Sequence, residues 1–153
     1  MIRKSLATNQ ELGRKEGMAS NYGNLGIVLE TRGDLDGAEA MLLKSLAIEE
    51  ELGHKEGMAS DYGILGNILR ARGDLDGAEA MLRKALAINE ELGRKEGMAI
   101  QHANLGGLAK VRGQISEARR LWVLARDLFR EIGAIPMVQQ VQQWLDGLPP
   151  EST

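Results

Sequence analysis

From Lys15 to Arg32 the apolar residues Met18, Tyr22, Leu25, Val28 and Leu29 recur at intervals of three and four. That spacing puts all five on one side of an α-helix and predicts one over 15–32. Gly33 stands where a helix ends in a left-handed residue, and Asp34 or Asp36 is suited to accept from the free N–H groups that open the next helix. A second apolar stripe, Ala38, Met41, Leu42, Ser45, Leu46 and Leu52, predicts a helix over about 36–52, closed by Gly53. The two helices make a hairpin with a short turn, and no stretch calls for a strand.

The hairpin repeats. Lys4-Ser-Leu-Ala returns at Lys44 and, as Lys84-Ala-Leu-Ala, at Lys84, a period of 40. Aligned on 44–83, segment 4–43 differs only at positions 8, 9, 10, 14, 21, 24, 27, 28, 30, 31 and 43. A fixed period of this length marks stacked supersecondary units rather than one closed core. The expected boundaries are a partial unit over 1–13, hairpins over 14–53, 54–93 and 94–133, a capping helix over 134–147 and a frayed tail over 148–153. Gly33, Gly73 and Gly113 then occupy the inner turns, and Gly13, Gly53, Gly93 and Gly133 the outer ones. Gly23, Gly26, Gly63 and Gly66 fall inside predicted helices, where each costs about 1 kcal/mol relative to alanine, so they mark close approach of the second helix to the first. In the third unit His102 replaces Tyr22 and Tyr62, and Trp122 replaces Leu42 and Leu82. The cap begins at Pro136 and is expected to turn Met137, Val138, Val141, Trp144 and Leu145 inward. The fold class is all-α, a superhelical array of antiparallel helix hairpins.

Composition removes function classes. A net charge of −3 over 153 residues supplies no field for nucleic acid or an anionic membrane surface, and neither is expected as a partner. The chain has no cysteine, hence no disulfide or thiolate chemistry, in keeping with a reducing compartment. With no apolar run of spanning length and no leader-like start, the expectation is a soluble cytoplasmic protein. Catalysis requires titratable groups gathered in a pocket. His54 takes the link position of Arg14 and Arg94 and reads as a solvated loop residue, while His102 reads as a packed or groove residue. Two histidines 48 positions apart without cysteine make no zinc site. Gly106-Gly107 lacks the Lys-Ser/Thr of a phosphate loop. No enzyme activity, cofactor or metal is expected.

The residues Tyr22/Leu25/Gly26, Tyr62/Leu65/Gly66 and His102/Leu105/Gly106, with Ala38, Ala78 and Ala118 early in the second helices, carry a resemblance to the tetratricopeptide repeat family. The family's usual period is 34, and the longer unit here is similar to the branch that includes Pins-type adaptors and kinesin light chains. The resemblance implies a non-catalytic protein-interaction scaffold that holds a peptide segment of a partner in a concave groove lined by the first helices. It also implies that the position before Leu-Gly faces the groove, here Asn24, Ile64 and Asn104; Asn67 lies about one turn beyond Ile64. An asparagine amide offers two donors and an acceptor, which matches a peptide group without adding charge.

The differences between the near-identical units point the same way. Asn24/Ile64, Ile27/Asn67, Glu30/Arg70 and Thr31/Ala71 share one side of a helix, and the third unit places Asn104, Gly107, Lys110 and Val111 there, whereas 34–42 is unchanged in the next unit. Two readings fit this variation, solvent positions free to drift and a groove with different chemistry in each unit; the unchanged 34–42, equally free to drift, favours the groove. The candidate peptide-binding residues are therefore Asn24, Ile27, Ile64, Asn67, Arg70, Asn104 and Lys110, with an acidic ligand side chain matching Arg70 and Lys110.

The N-terminal stretch, Lys4 to Leu12, aligns with Lys44 to Leu52, the second half of a second helix. An array end without a polar cap exposes its stacking face. Ile2 and Leu6 are the expected self-association residues, through a homodimer or as the cut end of a longer array, and end-to-end assembly is the alternative function.

Overall fold

The computed structural model describes residues 2–151, and the side chains from residue 11 onward. There are seven helices among the described residues and no strand: α1 (Ile2–Thr31), α2 (Leu35–Leu52), α3 (Lys55–Ala71), α4 (Leu75–Leu92), α5 (Lys95–Val111), α6 (Ile115–Glu131) and α7 (Ile135–Asp146). Each turn is built locally from a glycine. Gly33, Gly53, Gly73, Gly93, Gly113 and Gly133 all have positive φ, between 68° and 87°. At the first of them Gly33 N–H donates to Glu30 C=O and Asp34 N–H to Leu29 C=O, which ties off the last carbonyls of α1. Asp34 then caps α2 by accepting from Gly37 N–H at 2.9 Å, and Asp74 does the same for α4 through Gly77.

The helices pack as α1 on α2, α3 on α4 and α5 on α6, while α2 meets α3, α4 meets α5 and α6 meets α7; α3 also touches α1 and α5. Odd helices thus form one row and even helices the other, with the core between them. Ala38, Leu42 and Leu46 of α2 join Tyr62, Leu65 and Ile68 of α3, and one unit on Ala78, Leu82 and Leu86 join Leu105 and Leu108. The mid-helix glycines set the spacing. A Cβ on Gly66 would lie 2.7 Å from Leu82 Cγ, and one on Gly26 2.8 Å from Leu42 Cγ. Gly106 makes the same room for Trp122, whose indole Nε1 donates to Ala103 C=O at 3.0 Å. Exposed ion pairs repeat along the array, Lys15–Glu51 at 2.6 Å, Lys55–Glu91, and Lys95–Glu131 at 3.2 Å, each contributing about 0–1 kcal/mol.

The structure departs from the sequence expectation in four places. No turn forms at Gly13: α1 runs through it as one helix of 30 residues, where a separate partial unit over 1–13 was expected. A glycine permits a left-handed turn but does not impose one; at Gly53 the packing of α2 on α3 supports the turn. Second, Met18, Leu25 and Val28 are exposed rather than buried, because the face that α2 covers on α3 is uncovered on α1. Third, Leu148 is buried in the last core cluster beside Phe129, and Arg119 Nη2 donates to Pro149 C=O at 2.7 Å, so Leu148 and Pro149 are held against the array where a frayed tail was expected from 148. Met137 and Trp144 of the cap are exposed, and only Val141 and Leu145 of its expected inward set are fully buried.

Candidate functional site

The odd helices present a groove whose floor is opened by glycines and whose walls are mostly amide and charge. Between α3 and α5 a cavity of about 290 Å³ is lined in part by Ile64, Asn67, Ile100, Gln101 and Asn104. Glu56, Glu96 and Arg94 stand at the end of this cavity where both helices begin. Asn104 Nδ2 reaches Gln101 Oε1 only at 3.4 Å, a long hydrogen bond that leaves most of the amide's capacity unspent. Toward the other end of α5 a second cavity of about 460 Å³ is bounded by Arg70, Asn104, Gly107, Lys110, Val111, Trp122 and Trp144. Glu30, Asn67, Arg70, Ala71 and Val111 line a third beside it.

Five of the seven predicted groove residues therefore meet: Ile64, Asn67, Arg70, Asn104 and Lys110 share two adjoining cavities. Asn24 and Ile27 do not line them. Both lie exposed on α1, with Ile27 beside the uncovered face of that helix. The self-association residues Ile2 and Leu6 have side chains outside the described residues.

Gly107 has a specific part in the second cavity. A Cβ there would fall 2.8 Å from Arg70 Nη1, so the guanidinium crosses from α3 and rests against bare backbone of α5. The aligned positions Ile27 and Asn67 both carry side chains, and only the third unit has the opening. The far wall is aromatic: the rings of Trp122 and Trp144 lie with centroids 5.5 Å apart, tilted by 40°. Val111, strongly exposed, adds an apolar side chain to the same cavity. Sequence reading placed Trp144 in the cap core and Trp122 at the position of Leu42 and Leu82, and it put Val111 on the varied groove face without naming it a candidate. The departure of Trp122 from its Leu42 and Leu82 counterparts was the available signal.

Beneath the groove, α3 buries one carboxyl. Ser45 Oγ donates to Asp61 Oδ2 at 2.6 Å, and burial pushes the Asp61 carboxyl up to about 6, with the Ser45 bond opposing and Glu49 adding to the rise. The next unit replaces the pair together, Ala85 for Ser45 and Gln101 for Asp61. His102 is half-buried, its Nδ1 has no partner, and burial lowers its pKa. Its counterpart Tyr62 donates to Glu50 at 2.9 Å, which the shorter imidazole does not reproduce toward Glu90. His54 sits in the α2–α3 link against the part-buried Glu49 at 3.1 Å and the exposed Glu16 at 3.6 Å. Among the described residues no cluster of three His, Cys, Asp or Glu is placed to hold a metal, and no helix is long and apolar enough to cross a membrane.

Stacked helical hairpins with small residues at every crossing define a tetratricopeptide-type solenoid, the class whose members mediate protein–protein interaction. Residues 17–91 match the tetratricopeptide repeat family in sequence. Two solved structures share the fold. One is a putative kinesin light chain from Podosopora anserina with nearly identical TPR-like repeats, at a TM-score of 0.72 and 18% identity over 86% of this chain and 64% of that one. The other is BtubC (BKLC) from P. vanneervenii, at a TM-score of 0.64 and 16% identity over 99% of this chain and 77% of that one. No curated protein matches the chain in sequence.

Proposed function

We propose that the chain is a non-catalytic scaffold that holds an extended peptide segment of a partner protein along α3 and α5. The observation that carries this reading is the meeting of Asn67, Arg70, Asn104 and Lys110 on adjoining cavities although they come from two helices. The two asparagines match peptide groups of a ligand backbone. Arg70 and Lys110 favour an acidic side chain at one end, and the adjacent Trp144 and Val111 favour an apolar neighbour to it. At the opposite end Arg94 pairs with Glu56 at 3.7 Å, which leaves Glu96 to favour a basic residue there.

A displayed-peptide selection against the purified chain tests this. A variant with Asn67 and Asn104 changed to alanine is expected to lose the enriched peptides while keeping its helical circular dichroism, and Asn24→Ala is expected to retain them. Enrichment indifferent to Asn67 and Asn104 would remove the groove as the binding site.

A further inference from the structure

Two amides line the cavity between α3 and α5 with hydrogen-bonding capacity unspent. Asn89 of α4 is 4% exposed and Gln101 of α5 is 6% exposed, so both are almost fully buried. Asn89 Nδ2 donates to Ala85 C=O at 2.9 Å, while its Oδ1 accepts from no donor among the described residues. Gln101 Oε1 accepts the long bond from Asn104, and its Nε2 donates to no acceptor among the described residues. Neither atom is sealed inside the protein, and both residues line the cavity. Bare backbone seats the two amides: a Cβ on Gly63 of α3 would lie 2.8 Å from Gln101 Nε2, and one on Gly97 of α5 would fall on Asn89 Oδ1. A buried acceptor and a buried donor left open in one cavity call for a partner that the chain itself does not supply.

The neighbouring units close the same two positions. Aligned with Asn89 and Gln101 are Glu49 and Asp61 one unit earlier, and Phe129 and Val141 one unit later. Glu49 meets His54 Nδ1 at 3.1 Å, and Asp61 accepts from Ser45 at 2.6 Å. Phe129 and Val141 are packed in the last core cluster. Between these units Ala85 stands in place of Ser45 and Arg94 in place of His54, and Arg94 is turned to Glu56 at 3.7 Å. The partners that occupy both acids in the earlier unit are thus replaced together, and the groups left facing the cavity are neutral.

We propose that this cavity is a subsite for one uncharged amide side chain, glutamine or asparagine, of the bound segment. The inference rests on the peptide reading above and names a residue of that ligand. The ligand carbonyl accepts from Gln101 Nε2, and its NH2 group donates to Asn89 Oδ1. Ile64 and Ile100, which also line the cavity, flank the aliphatic stem. A glutamate would set a carboxylate oxygen against Asn89 Oδ1, and Arg94 at the cavity's end is already paired with Glu56. A leucine would cover the open donor and acceptor without pairing either of them.

The test uses a displayed library of random peptides panned on the purified chain, followed by synthetic peptides of the most enriched sequence. Enriched sequences are expected to share one glutamine or asparagine position, and glutamate or leucine there is expected to weaken binding at least about tenfold. Gln101→Met/Asn89→Leu removes both open groups at similar volume, and on it the glutamine and leucine peptides are expected to bind within about twofold of each other. Circular dichroism checks that this variant folds, and Gln101→Met alone carries the comparison if it does not. Peptides that need Asn67 and Asn104 yet tolerate glutamate or leucine at every position would leave the groove standing and overturn the amide subsite, as would a glutamine preference that survives in the variant. Failure of enrichment, or enrichment indifferent to Asn67 and Asn104, would remove the peptide reading and the subsite with it.

Discussion

Arg70 lies against Gly107: a Cβ added to that glycine would be 2.8 Å from the guanidinium nitrogen, so one missing side chain on α5 decides where a cation from α3 comes to rest. Glycine inside a helix costs about 1 kcal/mol relative to alanine, and the obstructing atom is the end of a flexible side chain. Gly107→Ala is therefore expected to raise thermal stability slightly and to displace Arg70. If the groove takes an acidic segment, the same variant weakens peptide binding. Thermal melts and calorimetric titration on one preparation separate the two effects.

Gly66→Ala is expected to behave in the opposite way. There the added carbon meets Leu82 Cγ at 2.7 Å and the Ala78 carbonyl at 3.3 Å, both fixed in the core. Overpacking of this kind costs about 1–3 kcal/mol, more than the helix propensity gained. Urea titration followed by circular dichroism should show a lower midpoint for Gly66→Ala than for the parent.

Asp61 gives stability a pH dependence with a definite sign. Its folded carboxyl titrates at about 6, above the ordinary value of 3.8, so between those limits the native state binds the extra proton. Stability falls as pH rises through this window and then levels off, with the loss fully developed above pH 6. Asp61→Asn retains an acceptor for Ser45 and removes the charge, as Asn21 does in the first unit. The variant is expected to be more stable by about 1–3 kcal/mol at pH 7 and to lose the slope between pH 4 and 6. Equal slopes in denaturant series at pH 4, 5, 6 and 7 would contradict the assignment.

Gly13 and Gly53 occupy the same position of the repeat and are expected to respond oppositely to alanine. Gly53 has φ 70°, and alanine there costs about 1–2 kcal/mol. Gly13 is helical with open space around it, and alanine stabilises α1 by up to about 1 kcal/mol. Paired thermal melts of the two variants measure the difference directly. A loss of stability at Gly13→Ala would mean that the chain turns there in solution.

If Arg70 and Lys110 hold an acidic side chain, reversing either charge should weaken a selected peptide at least tenfold at low salt, and the effect should shrink as ionic strength rises. Both changes lie on the groove surface, so the melting temperature is expected to stay within a few degrees. Fluorescence titration over a salt series provides the check.

Much of this molecule is local and hence legible along the chain. The 40-residue period, the glycines that end each helix, Asp34 and Asp74 as caps and the alignment of Leu65 with Leu105 depend only on residues within a turn or two of one another. Grouping Asn67 with Asn104 and Arg70 with Lys110 was also legible, because four of the differences between the first helices of near-identical units share one face. What the tertiary structure alone decided is the fate of identical local signals in different surroundings. Glu-Leu-Gly precedes a turn at Gly53 and continues as helix through Gly13, because a glycine permits the left-handed turn without imposing it and the packing of α2 on α3 supports it at Gly53. Leu25 and Leu65 share a sequence context and differ in burial, because burial belongs to whichever helix lies opposite. Trp144 reached the groove wall in the same way: its position on α7 is local, but its place beside Trp122, Arg70 and Lys110 follows from how the last helix docks on the array.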